Sequence, residues 1–242
     1  MEDRAVTVRR TIGDRAVTFL GVYDGHGGSD VADLAADELH GRFFEALTGG
    51  AEPVDALRHA YAVTARGARD YMHVGSTACT VCLLGLRLVA AWLGDSQFVV
   101  VTRNATRFVA PPHRLDDAGE RARVAAAGAE FSGVYVVRGD YGLMMTRALG
   151  DRWFEPVGIS AEPSVATLDL DPGVPSLVVL ASDGLWEVVD PENVAALFDR
   201  QANNTGFDYA RALANAALVG GSRDNVTVVT AIVERPDPSK DE

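Results

Sequence analysis

Two apolar runs in this chain stop abruptly at an aspartate followed by glycine. Phe19-Leu20-Gly21-Val22-Tyr23 runs into Asp24-Gly25-His26-Gly27-Gly28, and Leu177-Val178-Val179-Leu180-Ala181-Ser182 runs into Asp183-Gly184. A short apolar run bounded by turn residues reads as a buried strand. Both carboxylates are therefore predicted at strand ends, which are rigid places from which to project a ligand. Asp224-Asn225 does the reverse and opens an apolar strand at 226–233. A fold that brings these three strand ends together makes one acidic pocket. Such a pocket suits a hard cation such as Mg²⁺ or Mn²⁺, which takes several oxygen ligands at once.

The segments between these runs arrive in blocks. Ser29 stands as an N-cap before a helix whose Val31, Leu34, Ala35, Leu39 and Phe43 recur at helical spacing, and Gly49-Gly50 ends it. A second helix is predicted over 53–71, opened by Pro53 where a missing N–H costs nothing, with Leu57, Tyr61 and Ala65 on one face. Residues 77–84, 86–93 and 97–102 read as an antiparallel meander, in which Gly94-Asp95-Ser96 takes the place of a hairpin turn. A helix at 118–127 and strands at 134–138, 164–170 and 177–181 follow, then helices at 191–200 and 209–219 and the last strand. Blocks of this kind favour an α+β fold, with antiparallel sheets covered by helices, over a doubly wound parallel sheet. No repeat or linker divides the 242 residues, and 48% hydrophobic content suffices for one sizeable core. The reading is one domain over residues 1–234 and a short polar, disordered tail at 235–242.

Charge and cysteine usage narrow the function classes. Lys and Arg number 22 against 34 Asp and Glu, and the formal net charge of −12 argues against nucleic acid as a partner. A phosphate ligand would need bound metal. No basic region followed by an apolar one marks a signal peptide, and the apolar stretch at 80–93 is short and interrupted by Arg87. The expectation is a soluble, cytoplasmic protein with no membrane partner. Cys79 and Cys82 form a C-x-x-C, the spacing of a redox pair or half a zinc site. They fall in a predicted strand, where positions three apart point to opposite faces, so two small core residues is the better reading.

Each acidic motif also has a plainer local meaning. The glycines around His26 suit a strand-to-helix turn, Asp183 suits a helix N-cap, and Asp224-Asn225 suits a turn into a strand. Ligation uses the same features differently: glycine lets the backbone approach a ligand, offering the Gly25 carbonyl to a metal while the imidazole stays beside the pocket. The joint occurrence of the motifs, in order, favours ligation.

The ordered series Met1-Glu2-Asp3, Asp24-Gly25-His26-Gly27-Gly28, Gly75-Ser76-Thr77-Ala78, Gly94-Asp95-Ser96, Arg147-Ala148-Leu149-Gly150-Asp151, Glu162-Pro163, Asp183-Gly184-Leu185-Trp186 and Ser222-Arg223-Asp224-Asn225 resembles the metal-dependent serine/threonine protein phosphatases of type 2C, the PPM family. Pro112-His113 ahead of an Ala/Glu/Arg-rich helix ending in Ala127-Gly128 adds to the match. The resemblance implies a central β-sandwich of two antiparallel sheets flanked by α-helices in α-β-β-α layers. It implies that Asp24 bridges two Mg²⁺ or Mn²⁺ ions. The Gly25 carbonyl would complete the protein ligands of one ion, Asp183 and Asp224 would bind the other, and Glu2 and Asp3 would hold coordinated waters. A third, looser ion would fall to Asp95 with Glu187, at a position often Asp in relatives.

The implied activity is hydrolysis of phosphoserine and phosphothreonine in phosphoproteins by a two-metal-activated water, in a monomer. Two metals about 3.5–4 Å apart acidify a bridging water and clamp phosphoryl oxygens. The leaving alkoxide needs a proton, and His26 is the natural general acid. In the family an arginine shortly ahead of the Glu-Asp pair commonly holds substrate phosphate, and none stands ahead of Glu2 here. The expectation is weak phosphate binding, or a start inside a longer reading frame; Arg4, Arg9 and Arg10 read as strand-surface cations. The short segment 147–162 points to a reduced substrate-shaping flap. One alternative is a pseudophosphatase acting as a binding or regulatory module, against which stand Asp24, Asp183 and Asp224, all present. A two-metal nuclease fits the acids but not the charge of −12.

Overall fold

The computed structural model describes residues 1–103, 105–202 and 204–234. The polar tail predicted at 235–242 lies outside them. The chain opens with a hairpin, β1 (Arg4–Ile12) and β2 (Arg15–Tyr23), followed by the two-residue β3 (Gly25–His26) and helices α1 (Asp30–Thr48) and α2 (Pro53–Gly67). Next come β4 (Gly75–Ser76), β5 (Ala78–Leu84), β6 (Arg87–Leu93), β7 (Gln97–Thr102), β8 (Ala105–Val109) and α3 (Ala118–Ala126). Four short strands follow: β9 (Glu130–Ser132), β10 (Tyr135–Arg138), β11 (Tyr141–Leu143) and β12 (Leu149–Gly150). The last stretch holds β13 (Ser164–Asp169), β14 (Ser176–Ala181), the one-turn α4 (Asp183–Trp186), α5 (Pro191–Arg200), α6 (Tyr209–Val219) and β15 (Val228–Val233).

Two antiparallel sheets make the sandwich, one ordered β1-β2-β5-β6-β13 and the other β15-β14-β7-β8. The alternation of side chains along a strand decides what each face buries. Along β2, Leu20 and Val22 join Val81, Trp92, Phe98, Val178 and Leu180 between the sheets, while Phe19 and Tyr23 pack with Leu39, Phe43, Leu57 and Tyr61 of α1 and α2. On the far side, α5 and α6 cover the second sheet through Val194, Phe198, Tyr209 and Leu213. The predicted α-β-β-α layering is therefore the observed one. Cys79 faces the inter-sheet core and Cys82 the helix side, both fully buried, so they line opposite faces of β5 as core residues. No helix among the described residues is long and apolar enough to cross a membrane.

The predicted three-strand meander is corrected. β5 and β6 pair, but β7 pairs with β14 and β8 instead of β6, so Gly94-Asp95-Ser96 carries the chain from one sheet to the other. The physical reason is burial: Phe98 and Val100 pack between the sheets while Val99 and Val101 pack under α5, which demands a central strand of the second sheet. Smaller differences concern ends. α2 stops at Gly67 and a 3₁₀ turn, Ala68–Asp70, completes the stretch expected to be helical. Ser29 precedes α1, yet its hydroxyl donates to the Asp33 carboxylate (2.9 Å) instead of capping a backbone N–H. β15 begins at Val228, two residues later than expected.

A smaller core lies under α3 and the three-stranded sheet β9–β11, built from Leu115, Val124, Val136, Leu143 and Phe154. The segment 147–162, read as a shortened flap, contains β12 and a 3₁₀ turn, Arg152–Val157. Glu120 is the charged centre of this region. Its carboxylate, only 6% exposed, accepts from Arg147 Nη2 (2.6 Å), Arg123 Nη2 (2.7 Å) and Thr146 Oγ1 (2.6 Å), and Arg147 also donates to the Glu162 carbonyl (2.9 Å). The Arg147 and Glu162 motifs thus serve to tie this smaller core together.

Candidate active site

Asp24 leaves the end of β2 and is held by its backbone. Its N–H donates to Thr77 Oγ1 (3.1 Å), its carbonyl accepts from Thr77 N–H (2.9 Å), and Thr77 Oγ1 lies 2.6 Å from Ser96 Oγ, next to Asp95. Asp183 opens α4 directly after β14 and Ser182. The loop ahead of β15 is tied to both: Ser182 Oγ donates to the Asn225 carbonyl (3.3 Å), and Asn225 Oδ1 accepts from the Glu2 N–H (2.9 Å). A Cβ on Gly184 would stand 2.0 Å from the Asn225 carbonyl oxygen. The glycine of this Asp-Gly pair is therefore required for close approach of the loop that carries Asp224.

The acids gathered in this way press on one another. Burial, followed by the charges of Asp3, Asp183 and Asp95, pushes the Asp24 carboxyl up to about 9. Burial, followed by Asp95 and then Glu187 and Asp224, raises Asp183 to about 7, with Arg114 acting in the opposite direction. Asp3 Oδ2 and Asp95 Oδ1 are buried without a hydrogen-bond partner. Glu2 is partly buried, Asp224 is exposed and forms no ion pair among the described residues, and Glu187 is half exposed. No group of three or more His, Cys, Asp or Glu side chains among the described residues is arranged to hold a metal ion as it stands. The donor chemistry nevertheless fits one: partnerless buried carboxylate oxygens beside a carboxyl that resists ionisation need nearby positive charge, and oxygen is the donor that Mg²⁺ and Mn²⁺ select.

His26 sits in β3 with Nε2 2.6 Å from the Asp151 carboxylate. Burial alone would lower the imidazole pKa, but the Asp151 hydrogen bond and charge, with Asp95 and Glu2, outweigh it and raise it. Asp151 is 2% exposed and is the sole non-glycine residue at positive φ (48°) among the described residues. A Cβ on Gly75 would come 2.1 Å from that carboxylate and 2.4 Å from Nε2, so only glycine leaves room for the pair. The left-handed conformation costs on the order of 1–3 kcal/mol and aims a buried carboxylate at His26. In the sequence Asp151 only ends a motif; its partner, 125 residues away, is visible only in the fold.

Arg114 was also missed. Its Nε donates to Asp95 Oδ2 (2.8 Å) and its Nη2 to Asp183 Oδ2 (2.9 Å), with Glu187 Oε1 at 3.6 Å. The cations near the N-terminus do not take its place. Arg4 is bound to Asp33 (2.5 and 3.1 Å) and to the carbonyls of Met1 and Asp3, and Arg10 lies over the Phe44 ring at 4.8 Å. A cleft of about 310 Å³ beside His26 is lined by His73, Tyr141, Met144 and Asp151.

Residues 1–226 match the profile of the family described as Protein phosphatase 2C. The chain belongs to the protein phosphatase 2C family. It is 31% identical to human Protein phosphatase 1F over 90% of this chain and 49% of that protein. The fold is similar to a solved structure described as a C. elegans sex determining protein, with a TM-score of 0.82, 28% identity, and coverage of 97% of this chain and 62% of that one. It also matches the serine-threonine phosphatase 2C from Toxoplasma gondii, with a TM-score of 0.79 and 23% identity over 96% of this chain and 90% of that one. The chain spans about half or less of the length of the first curated relatives it matches. Protein phosphatase 2C enzymes in general depend on Mg²⁺ or Mn²⁺.

On the hydrolytic reading proposed below, Asp151→Asn is expected to lower kcat on the order of 10–100-fold, the loss typical when the hydrogen-bond partner that orients a site side chain is removed. Mn²⁺ binding measured by calorimetry should stay unchanged, because Asp151 holds His26 and no ligand. An unchanged kcat on a phosphothreonine peptide would remove the positioning role.

Proposed function

We propose that the domain hydrolyses phosphoserine and phosphothreonine in proteins, using two Mg²⁺ or Mn²⁺ ions. The observation that carries the reading is the convergence of Asp24, Asp3, Asp95 and Asp183 on one pocket, with the His26–Asp151 pair beside it. Asp24 and the Gly25 carbonyl would hold one ion, Asp24, Asp183 and Asp224 the other, and Glu2 and Asp3 would orient waters. Bound there, the ions would supply positive charge to the phosphoryl oxygens and acidify water. His26, with Nε2 turned to Asp151, has Nδ1 left to hand a proton to the leaving serine or threonine oxygen. The cleft along His73 and Tyr141 gives the peptide a place to lie beside His26.

The test is hydrolysis of a phosphothreonine peptide with Mn²⁺ and again with excess chelator. Activity that vanishes with the chelator supports the reading; inactivity in saturating Mn²⁺ would leave a binding module. His26→Ala should lower kcat on the peptide by about 10²–10⁴-fold, the usual worth of general acid catalysis. The loss should be far smaller on p-nitrophenyl phosphate, whose leaving group hardly needs a proton. Equal losses on the two substrates would contradict the assignment of His26.

A further inference from the structure

We infer that Arg114 is the resident cation between Asp95, Asp183 and Glu187, so that this site takes two divalent ions and no third. The inference rests on the two-ion reading above. Asp95 and Glu187 are the side chains on which a third ion would depend, and both already face the guanidinium: Nε reaches Asp95 Oδ2 at 2.8 Å, and Nη2 lies 2.9 Å from Asp183 Oδ2 and 3.6 Å from Glu187 Oε1.

The placement is built into the backbone. His113 N–H donates to the Gly94 carbonyl (2.9 Å), one residue from Asp95, and the His113 carbonyl accepts from Thr146 N–H (2.8 Å). Arg114 itself bridges to Met145, and His113 Nε2 lies 2.8 Å from Ser164 Oγ. Neighbours on both sides thus fix the backbone of Arg114 within reach of the acids, and the acids orient its guanidinium. A guanidinium is permanently charged and its planar fork meets two carboxylates at once, a task suited to arginine.

Among the described residues, Glu2, Asp3, Asp24 and Asp224 form no ion pair with Lys, Arg or His, whereas Asp95, Asp183 and Glu187 all meet Arg114. Asp24 and Asp224 are left for the two core ions without a protein cation, whereas Arg114 spans Asp95 and Glu187 of the third position and reaches Asp183, which that position borders. With Asp95 Oδ2 engaged, Oδ1 is the one oxygen of that side chain still without a partner. A divalent ion there would have to displace the guanidinium or sit against a like charge.

The test counts Mn²⁺ ions by isothermal titration calorimetry on the full chain and on Arg114→Ala, and follows the Arg114 Nε–H signal by ¹H–¹⁵N NMR during titration with Mg²⁺. Two ions on the native protein, a third gained by Arg114→Ala and a signal that persists at Mg²⁺ saturation are expected. Three ions on the native protein, a folded Arg114→Ala that still binds two, or loss of the signal at saturation would overturn the inference. Fewer than two ions on both proteins would instead overturn the two-ion reading itself.

Discussion

Asp24→Asn is expected to abolish phosphopeptide hydrolysis and, in the same protein, to raise the melting temperature of the metal-free domain. Both effects come from one carboxyl. Burial and the charges of Asp3, Asp183 and Asp95 hold its pKa at about 9 in the fold, against an ordinary 3.8. The folded state therefore binds this proton more tightly than the unfolded chain does. The corresponding stability is whole below pH 3.8 and drains away as the pH climbs toward 9. At pH 8 in chelator the native protein has lost most of it, while asparagine, which never ionises, removes this residue's share of the pH dependence. For a domain of this size about 1 kcal/mol moves the melting temperature by about 2–4 °C, so a rise of several degrees is readable by calorimetry. Saturating Mn²⁺ should reverse the ranking, since the native carboxylate gains a partner that the amide lacks. An Asn variant that keeps near-native turnover, or melts below the native protein without metal, would refute this account of Asp24.

The second large effect concerns stability. Glu120→Ala should destabilise the domain by about 3–5 kcal/mol, the usual cost of stripping one partner from a buried ion cluster. It would leave the Arg147 and Arg123 guanidiniums, 18% and 34% exposed, facing one another without a carboxylate. Burial alone would raise the Glu120 pKa, but hydrogen bonds from Arg147, Arg123 and Thr146 outweigh it and hold the carboxyl well below its ordinary 4.5. Its contribution is present above pH 4.5 and fades as the pH falls further. Urea midpoints of native and variant proteins should therefore differ most near neutrality and draw together in acid. A gap that stays constant from pH 7 to pH 3 would show that Glu120 acts through packing alone.

Elements whose pattern is local were legible in the sequence. The helical spacing of Val31, Leu39 and Phe43 and the apolar runs ending at Asp24 and Asp183 led directly to α1, β2 and β14. What escaped was partnership. Gly94-Asp95-Ser96 has the chemistry of a tight turn whether it joins two strands of one sheet or two sheets, and only the two-sided burial of β7 separates the cases. Asp151 and Arg114 escaped for the same reason. The partner of Asp151 lies 125 residues away and those of Arg114 lie 19 and 69 away, and neither an aspartate ending a motif nor an arginine after Pro112-His113 announces which carboxylate or imidazole it will meet. Asp24, Asp183 and Asp224 were legible because the glycine or asparagine beside each marks the local backbone, whereas Glu2, Asp3, Asp95 and Glu187 entered only through the family resemblance.

The hydrogen bond from Glu2 to Asn225 joins residues 223 positions apart, next to acids of the same pocket. A ribosome that has released the first 180 residues has made Asp24 and its neighbours from the N-terminal hairpin, but neither Asp183 nor Asp224. On the two-ion reading, the nascent polypeptide thus has an incomplete ion site until residue 224 has emerged and β15, pairing along β14, has brought the loop ahead of it into place.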